Sequence, residues 1–218
     1  MPHFYFTSMR ISLIGIFILC SSYLFSQNEV IYIWSGALTY NSIKVNAKMT
    51  DSSSTIRLVV STDSLFSIPL YSSFYHVDST TNYMVSMDKN GLSPLTKYYY
   101  CVESGGIMDS SSDDIGSFTT VVNGPFSYSF VLGSCALSSD HKVFGVMKNM
   151  SPFFYINTGD LHYDNPNSDI DLNIHRLPYE VSVLSKPSVA ALFKKVPFVY
   201  MWDDHDFSGN NSDSSAIG

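Results

Sequence analysis

From residue 28 onward the chain alternates between short β-rich runs and polar turns. The runs are Val30–Trp34, Ser42–Met49, Thr55–Val60, Asn82–Met87, Lys97–Glu103 and Gly116–Val121. Two of them, Ile43-Lys44-Val45-Asn46-Ala47 and Ile56-Arg57-Leu58-Val59-Val60, have the period-two pattern of a strand with one face in a core. Short strands at regular spacing predict a β-sandwich over residues 28–122. Asn123-Gly124-Pro125 punctuates the chain, and a different pattern follows over residues 125–218. An apolar strand, Phe126–Leu132, leads into the polar loop Ser138-Ser139-Asp140, which can cap a helix. Val143, Val146, Met147 and Met150 then fall on one helical face and predict a buried stripe. A second strand, Phe153–Ile156, precedes a long polar connection with a helix near Ser188–Val196. That helix carries Val189, Leu192, Phe193 and Val196 on one face, and the third strand is Phe198–Trp202. This β-α-β-α-β order predicts the opening of a parallel sheet with helices on its faces.

The first 26 residues change that picture only at its start. Arg10 precedes a largely apolar run, Ile11–Phe25, that is short for a membrane span of ~20 residues and suits a signal peptide. Cleavage after Ser26, a lipid-anchored start at Cys20 and an uncleaved anchor are all compatible with it. Each places the folded part outside the cytoplasm. Charge adds an exclusion: 19 acidic against 12 basic residues give a net charge of −7, without a Lys/Arg run. Duplex nucleic acid, which demands clustered cations, is not an expected partner. No obligate protein partner is evident in the sequence.

Candidate chemistry gathers at the ends of the three strands of the second region. The clusters are Gly133-Ser134-Cys135, then Gly159-Asp160-Leu161-His162-Tyr163-Asp164, then Asp203-Asp204-His205-Asp206-Phe207-Ser208-Gly209-Asn210. In an open α/β sheet the carboxyl ends of the strands lie along one edge, so the three should converge. Gly, Asp and Asn also gather at strand ends simply as turn formers. Four ionisable residues in a row after Trp202 are harder to explain that way, because their carboxylates repel unless a cation lies nearby. Carboxylate oxygens suit hard cations, and imidazole and thiolate extend the choice to transition metals. Ser134 lacks a Gly-x-Ser-x-Gly elbow, which argues against a serine hydrolase. Cys135 is a ligand in one reading and an inert buried thiol in the other. His141 and His175 stand alone, as surface or helix-cap residues do, and His76 lies in the β region.

Trp202-Asp203-Asp204-His205-Asp206-Phe207 followed by Asn210 resembles the signature of the alkaline phosphatase D family of calcineurin-like metallophosphatases. Gly159-Asp160-x-x-Tyr163 and Ser134-Cys135 resemble that family's two upstream elements. Gly91-Leu92-Ser93-Pro94-Leu95-Thr96-Lys97-Tyr98-Tyr99-Tyr100 is similar to the tyrosine corner of fibronectin type III domains, a module that members of the family often carry in front, and could also be a plain turn entering a Tyr-rich strand. The resemblance covers about residues 28–218 and implies an exported hydrolase of phosphate esters acting on a small-molecule substrate. It implies Asp160 as the bridging metal ligand, Cys135 and Tyr163 as ligands of an iron ion, and Asp204 facing a second metal. Asp203 and Asn210 would be further metal or loop-support residues. His205 would stabilise the phosphoryl group, and His162 could approach the substrate or equally be a loop residue on the rim of the site. Iron together with calcium is the implied metal set, with other divalent ions as alternatives.

The family's remaining ligands lie in a second half beyond the third motif, so the resemblance implies an N-terminal portion that is incomplete as an enzyme. Two other classes stay open at this point. One is a non-catalytic exported fibronectin-like binding module with an inactive α/β remnant, and the other is a calcium-binding structural protein.

Overall fold

The computed structural model describes residues 29–52, 55–110, 115–136, 139–166, 171–213 and 215. The signal-peptide expectation for residues 1–26 and the capping residue Ser138 lie outside them. Among the described residues no helix is long and apolar enough to cross a membrane.

The first region is a sandwich of two antiparallel sheets. One contains β1 (Val30–Gly36), β2 (Ser42–Met49) and β6 (Met84–Asn90). The other is built on β3 (Thr55–Ser61) and β7 (Lys97–Ser104), which pair with each other. Around them are the two-residue strands β4 (Leu70–Tyr71), β5 (Tyr75–His76) and β8 (Ile107–Met108), and β9 (Gly116–Thr119). The alternation in β2 does what its pattern requires: Ile43, Val45 and Ala47 are buried, while Lys44 and Asn46 are only partly so. Strand β3 is buried on both faces. Ile56, Leu58 and Val60 enter the main core, and Val59 joins Phe66, Cys101 and Ile115 in a smaller one. Burial pushes the Cys101 thiol up to about 12, so it behaves as an apolar core group. The tyrosine corner forms at Tyr98, whose hydroxyl accepts from the Ser93 N–H at 2.9 Å. Strand β6 begins two residues later than the sequence pattern suggests. Asn82 and Tyr83 have φ of 54° and 58° and close a 3-10 turn before it.

The second region contains β10 (Val131–Gly133), α1 (Lys142–Asn149), β11 (Tyr155–Asn157), α2 (Leu172–Pro178), a π-helical segment (Tyr179–Leu184), α3 (Pro187–Lys195), β12 (Phe198–Tyr200) and α4 (Asp204–Phe207). The three strands are parallel and in register. The predicted face of α3 is the buried one, with Val189, Leu192, Phe193 and Val196 at 3% exposure or less. The stripe predicted on α1 is corrected. Val143, Val146 and Met150 are 39%, 58% and 63% exposed, and the helix instead buries Phe144, with Met147 packed beside it. The predicted stripe carries more apolar residues, but the aromatic ring of Phe144, which removes the larger area from water, is what turns inward. His141 caps α1 through Nδ1, which accepts from the Val143 N–H at 3.2 Å, and Asp140 accepts from the Ser188 N–H at the start of α3.

The two regions share one six-stranded sheet, in the order β10-β11-β12-β1-β2-β6. The join is the parallel pair Gly36↔Phe198. A Cβ on Gly36 would lie 2.8 Å from the Phe198 carbonyl oxygen, so only glycine permits the approach. Polar ties reinforce it. Tyr100 donates to the Lys194 carbonyl at 2.9 Å, and Lys195 donates to the Ile115 carbonyl. Glu180 accepts from both Lys48 at 2.9 Å and Asn82 at 2.8 Å.

Candidate metal centre

The loops after β10, β11 and β12 meet at the carboxyl edge of the parallel sheet. Cys135 N–H donates to the Gly159 carbonyl at 3.2 Å and Ala136 N–H to the Asp160 carbonyl at 2.8 Å, which ties the first loop to the second. Both Cys135 and Asp160 have φ of 54°, a left-handed conformation that is uncommon for side-chain-bearing residues and often marks functional positions. Gly159 has φ of 114°, and a Cβ there would fall 2.4 Å from Asp203 Cβ. The second and third loops are therefore in backbone-to-side-chain contact.

Asp206 locks this contact. Its carboxylate is wholly buried and accepts three backbone N–H groups: Asp160 at 2.6 Å, Asp203 at 3.1 Å and Leu161 at 3.0 Å. Tyr200 also bonds it, and burial, followed by that bond, drives the Tyr200 phenol well above its ordinary value. Asp203 and Asp206 form a reciprocal capping box around the short helix α4.

Asp160 stands at the middle of the site and is 8% exposed. Its Oδ2 accepts from the Tyr163 hydroxyl at 2.9 Å and from the Cys135 thiol at 3.8 Å. Burial, then the bonds to Cys135 and Asp160, hold the Tyr163 phenol strongly protonated. The other oxygen, Oδ1, is buried and has no hydrogen-bond partner. A buried carboxylate oxygen left unpaired is costly, which a cation would relieve. Ligand atoms of Asp160, Asp204 and His205 lie within 4.8 Å of one another. Hydrogen bonds from the Asn211 N–H, followed by the His205 N–H, hold the Asp204 carboxyl below its ordinary range. His205 Nδ1 lies 2.6 Å from Asn165 Oδ1, which fixes the ring and leaves Nε2 as its open nitrogen. Oxygen, imidazole and thiol donors around one unsatisfied carboxylate fit a metal ion.

The sequence-predicted residues therefore divide. Cys135, Asp160, Tyr163, Asp204 and His205 come together. Asp203 uses its carboxylate to cap α4, accepting from the Asp204 N–H at 3.0 Å. Asn210 lies exposed in the turn after α4. His162 is not on the rim; it is wholly buried, edge-on to Tyr179 with ring centroids 4.7 Å apart. Its Nε2 is 3.9 Å from Asp206, but burial lowers its pKa and neither ring nitrogen has a hydrogen-bond partner, so the contact is that of a neutral imidazole. Cys101 and Cys135 are both free thiols. Sequence reasoning passed over the structural roles of Asp206 and Asn165. The Asp203-x-x-Asp206 spacing, an N-cap followed three residues later by an acid, was the available signal for the first; nothing local marks the second.

No family profile matches the chain, and no curated protein sequence matches it. Among solved structures it is similar to one titled "Structure of PhoD", with a TM-score of 0.71 and 16% identity over 85% of this chain and 42% of that one. A fibronectin type III domain from the human KIAA0970 protein is aligned at 12% identity over 46% of this chain and 79% of that one, and the RsgI4 sensor domain of Pseudobacteroides cellulosolvens at 19% over 44% and 97%. Their TM-scores, 0.33 and 0.35, are too low to bear on the fold. The chain spans less than half the length of the PhoD chain, and the likeness to it is one of architecture: a β-sandwich joined to parallel α/β layers, a PhoD-like fold.

Proposed function

We propose that this chain contributes a metal centre for the hydrolysis of phosphate esters. Residues 28–122 are read as a fibronectin-like module and residues 125–218 as the first half of a metallophosphatase domain. The reading rests on the convergence of Cys135, Tyr163, Asp204 and His205 on Asp160, whose Oδ1 is buried and unpaired. Asp160 would help hold both ions, with Cys135 and Tyr163 as further ligands for iron and Asp204 for calcium. When bound, such ions neutralise phosphate charge and activate water. The chain's own part is to hold the ligands. Asp206 anchors the Asp160 backbone, and Asn165 Oδ1 accepts from His205 Nδ1–H and fixes the ring, whose Nε2 would donate to a phosphoryl oxygen in the doubly protonated form. A small phosphate ester is the substrate class, and an exported location accords with the N-terminal pattern.

The test is metal content. Purified protein is expected to hold iron and calcium, with both lost in Asp160→Ala, and as the first half of the domain to turn over little or no p-nitrophenyl phosphate. Equal metal content in that variant would sink the reading.

A further inference from the structure

A cavity of about 390 Å³ lies between the sandwich and the α/β layer; Leu161 and Trp202 border it, but none of Cys135, Asp160, Tyr163, Asp204 and His205 lines it. Trp34 and Met84 line it from the sandwich side, and Phe193, Tyr200 and Trp202 from the other. Its wall includes the π-helical segment Tyr179–Leu184, a geometry that is rare and recurs at functional sites. The size and aromatic lining match a small-molecule pocket at a junction between layers.

Two charged residues touch this cavity, Glu180 and Arg176. Glu180 is neutralised, because its Oε1 accepts from Lys48 at 2.9 Å and from Asn82 at 2.8 Å. Arg176 has no carboxylate within ion-pairing distance among the described residues. The cavity thus combines an apolar interior with Arg176, whose guanidinium pairs with no carboxylate among the described residues and whose planar fork suits carboxylate and phosphate oxygens. The hydroxyls of Tyr179 and Tyr200, 3.0 Å apart, are satisfied by each other and by Asp206, so they make no demand on a ligand. We infer that this cavity binds a single-chain amphiphile, its alkyl or acyl body inside and its carboxylate or phosphate head on Arg176. The inference does not rest on the phosphoesterase reading, and the titration that tests it is run in EDTA so that no metal at the Asp160 centre can bind the phosphate groups.

Both tryptophans of the chain line the cavity, so intrinsic fluorescence reports its occupancy directly. The protein is titrated, below micelle-forming concentrations, with decanoate, decyl phosphate, decanol, acetate and inorganic phosphate. Saturable change is expected with the two long-chain anions, at least about tenfold tighter than with decanol, and none with acetate or phosphate. Response to one of the two anions alone supports the site and names its head group. Arg176→Gln should bring anion affinity down to that of decanol and leave decanol unchanged. Decanol binding as tightly as the anions, an anion preference that survives Arg176→Gln, or no saturable response to either anion overturns the inference.

Discussion

Asp206→Asn isolates the lock beneath the candidate centre while keeping side-chain volume. The carboxylate accepts Asp160 and Asp203 N–H on Oδ2 and Leu161 N–H on Oδ1, all in a buried setting. An amide has one acceptor oxygen. Placed toward Asp160 and Asp203, it turns its NH₂ group against the Leu161 N–H and leaves that donor orphaned, at a cost of about 1–3 kcal/mol. The two surviving bonds lose their ionic character, which costs about 1 kcal/mol each. Relief of the buried charge offsets part of the sum, leaving a net loss of about 2–4 kcal/mol. Urea unfolding followed by Trp34 and Trp202 fluorescence should show it. With a slope of about 2 kcal/mol per molar, the midpoint falls by about 1–2 M. Iron and calcium uptake should weaken by about 10- to 100-fold, because Asp160 loses its backbone anchor. A midpoint shift under about 0.3 M together with unchanged metal uptake would refute the assigned role.

Gly159→Ala should lower the melting temperature steeply, with a loss of about 3 kcal/mol or more, since φ of 114° and a 2.4 Å approach to Asp203 Cβ forbid the methyl group; a melt within a degree of the parent would contradict the contact. Lys48→Met strands the Glu180 carboxylate, whose side chain is 19% exposed, and should cost about 2–4 kcal/mol with the Asn82 bond retained. Adding Glu180→Leu should recover part of that loss, and additive single effects in a double-mutant cycle would exclude coupling. Asp63 accepts from Ser67, Ser61 and Leu65, bonds that hold its carboxyl below the ordinary range, with the Ser67 N–H the largest cause. A depressed folded value means the contribution is whole above the unfolded value of about 3.9 and is lost as pH falls through the folded one. The stability gap between parent and Asp63→Ala should therefore shrink in acid, and a gap that widened below pH 3.9 would reverse the assignment.

Local chemistry was legible wherever a signal acts over a few residues. Ile43, Val45 and Ala47 alternate because a pleated strand has two faces, and α3 buries the face that its 3.6-residue period marks. The tyrosine corner at Tyr98 was readable for the same reason: its partner, Ser93, is five residues away. The convergence of Cys135, Asp160, Tyr163, Asp204 and His205 followed from strand order alone, since parallel strands end on one edge.

What lay beyond the sequence was set by contacts between distant segments. The inward turn of Phe144 on α1 depended on what α3 and the sheet offered it, since the predicted stripe of Val143, Val146, Met147 and Met150 is wholly apolar. His162 had the composition of a rim residue, yet the Tyr179 ring, 17 residues along the chain, encloses it. Asp206 became a lock only because the β11 loop brings two N–H groups, of Asp160 and Leu161, to it across more than forty residues. The joining of the two regions into one sheet rests on the missing side chain of Gly36 opposite Phe198. Residue type and spacing determine which groups a strand end presents. Only tertiary packing decides which of them are desolvated, which are paired, and which are left, like Asp160 Oδ1, with nothing to bind.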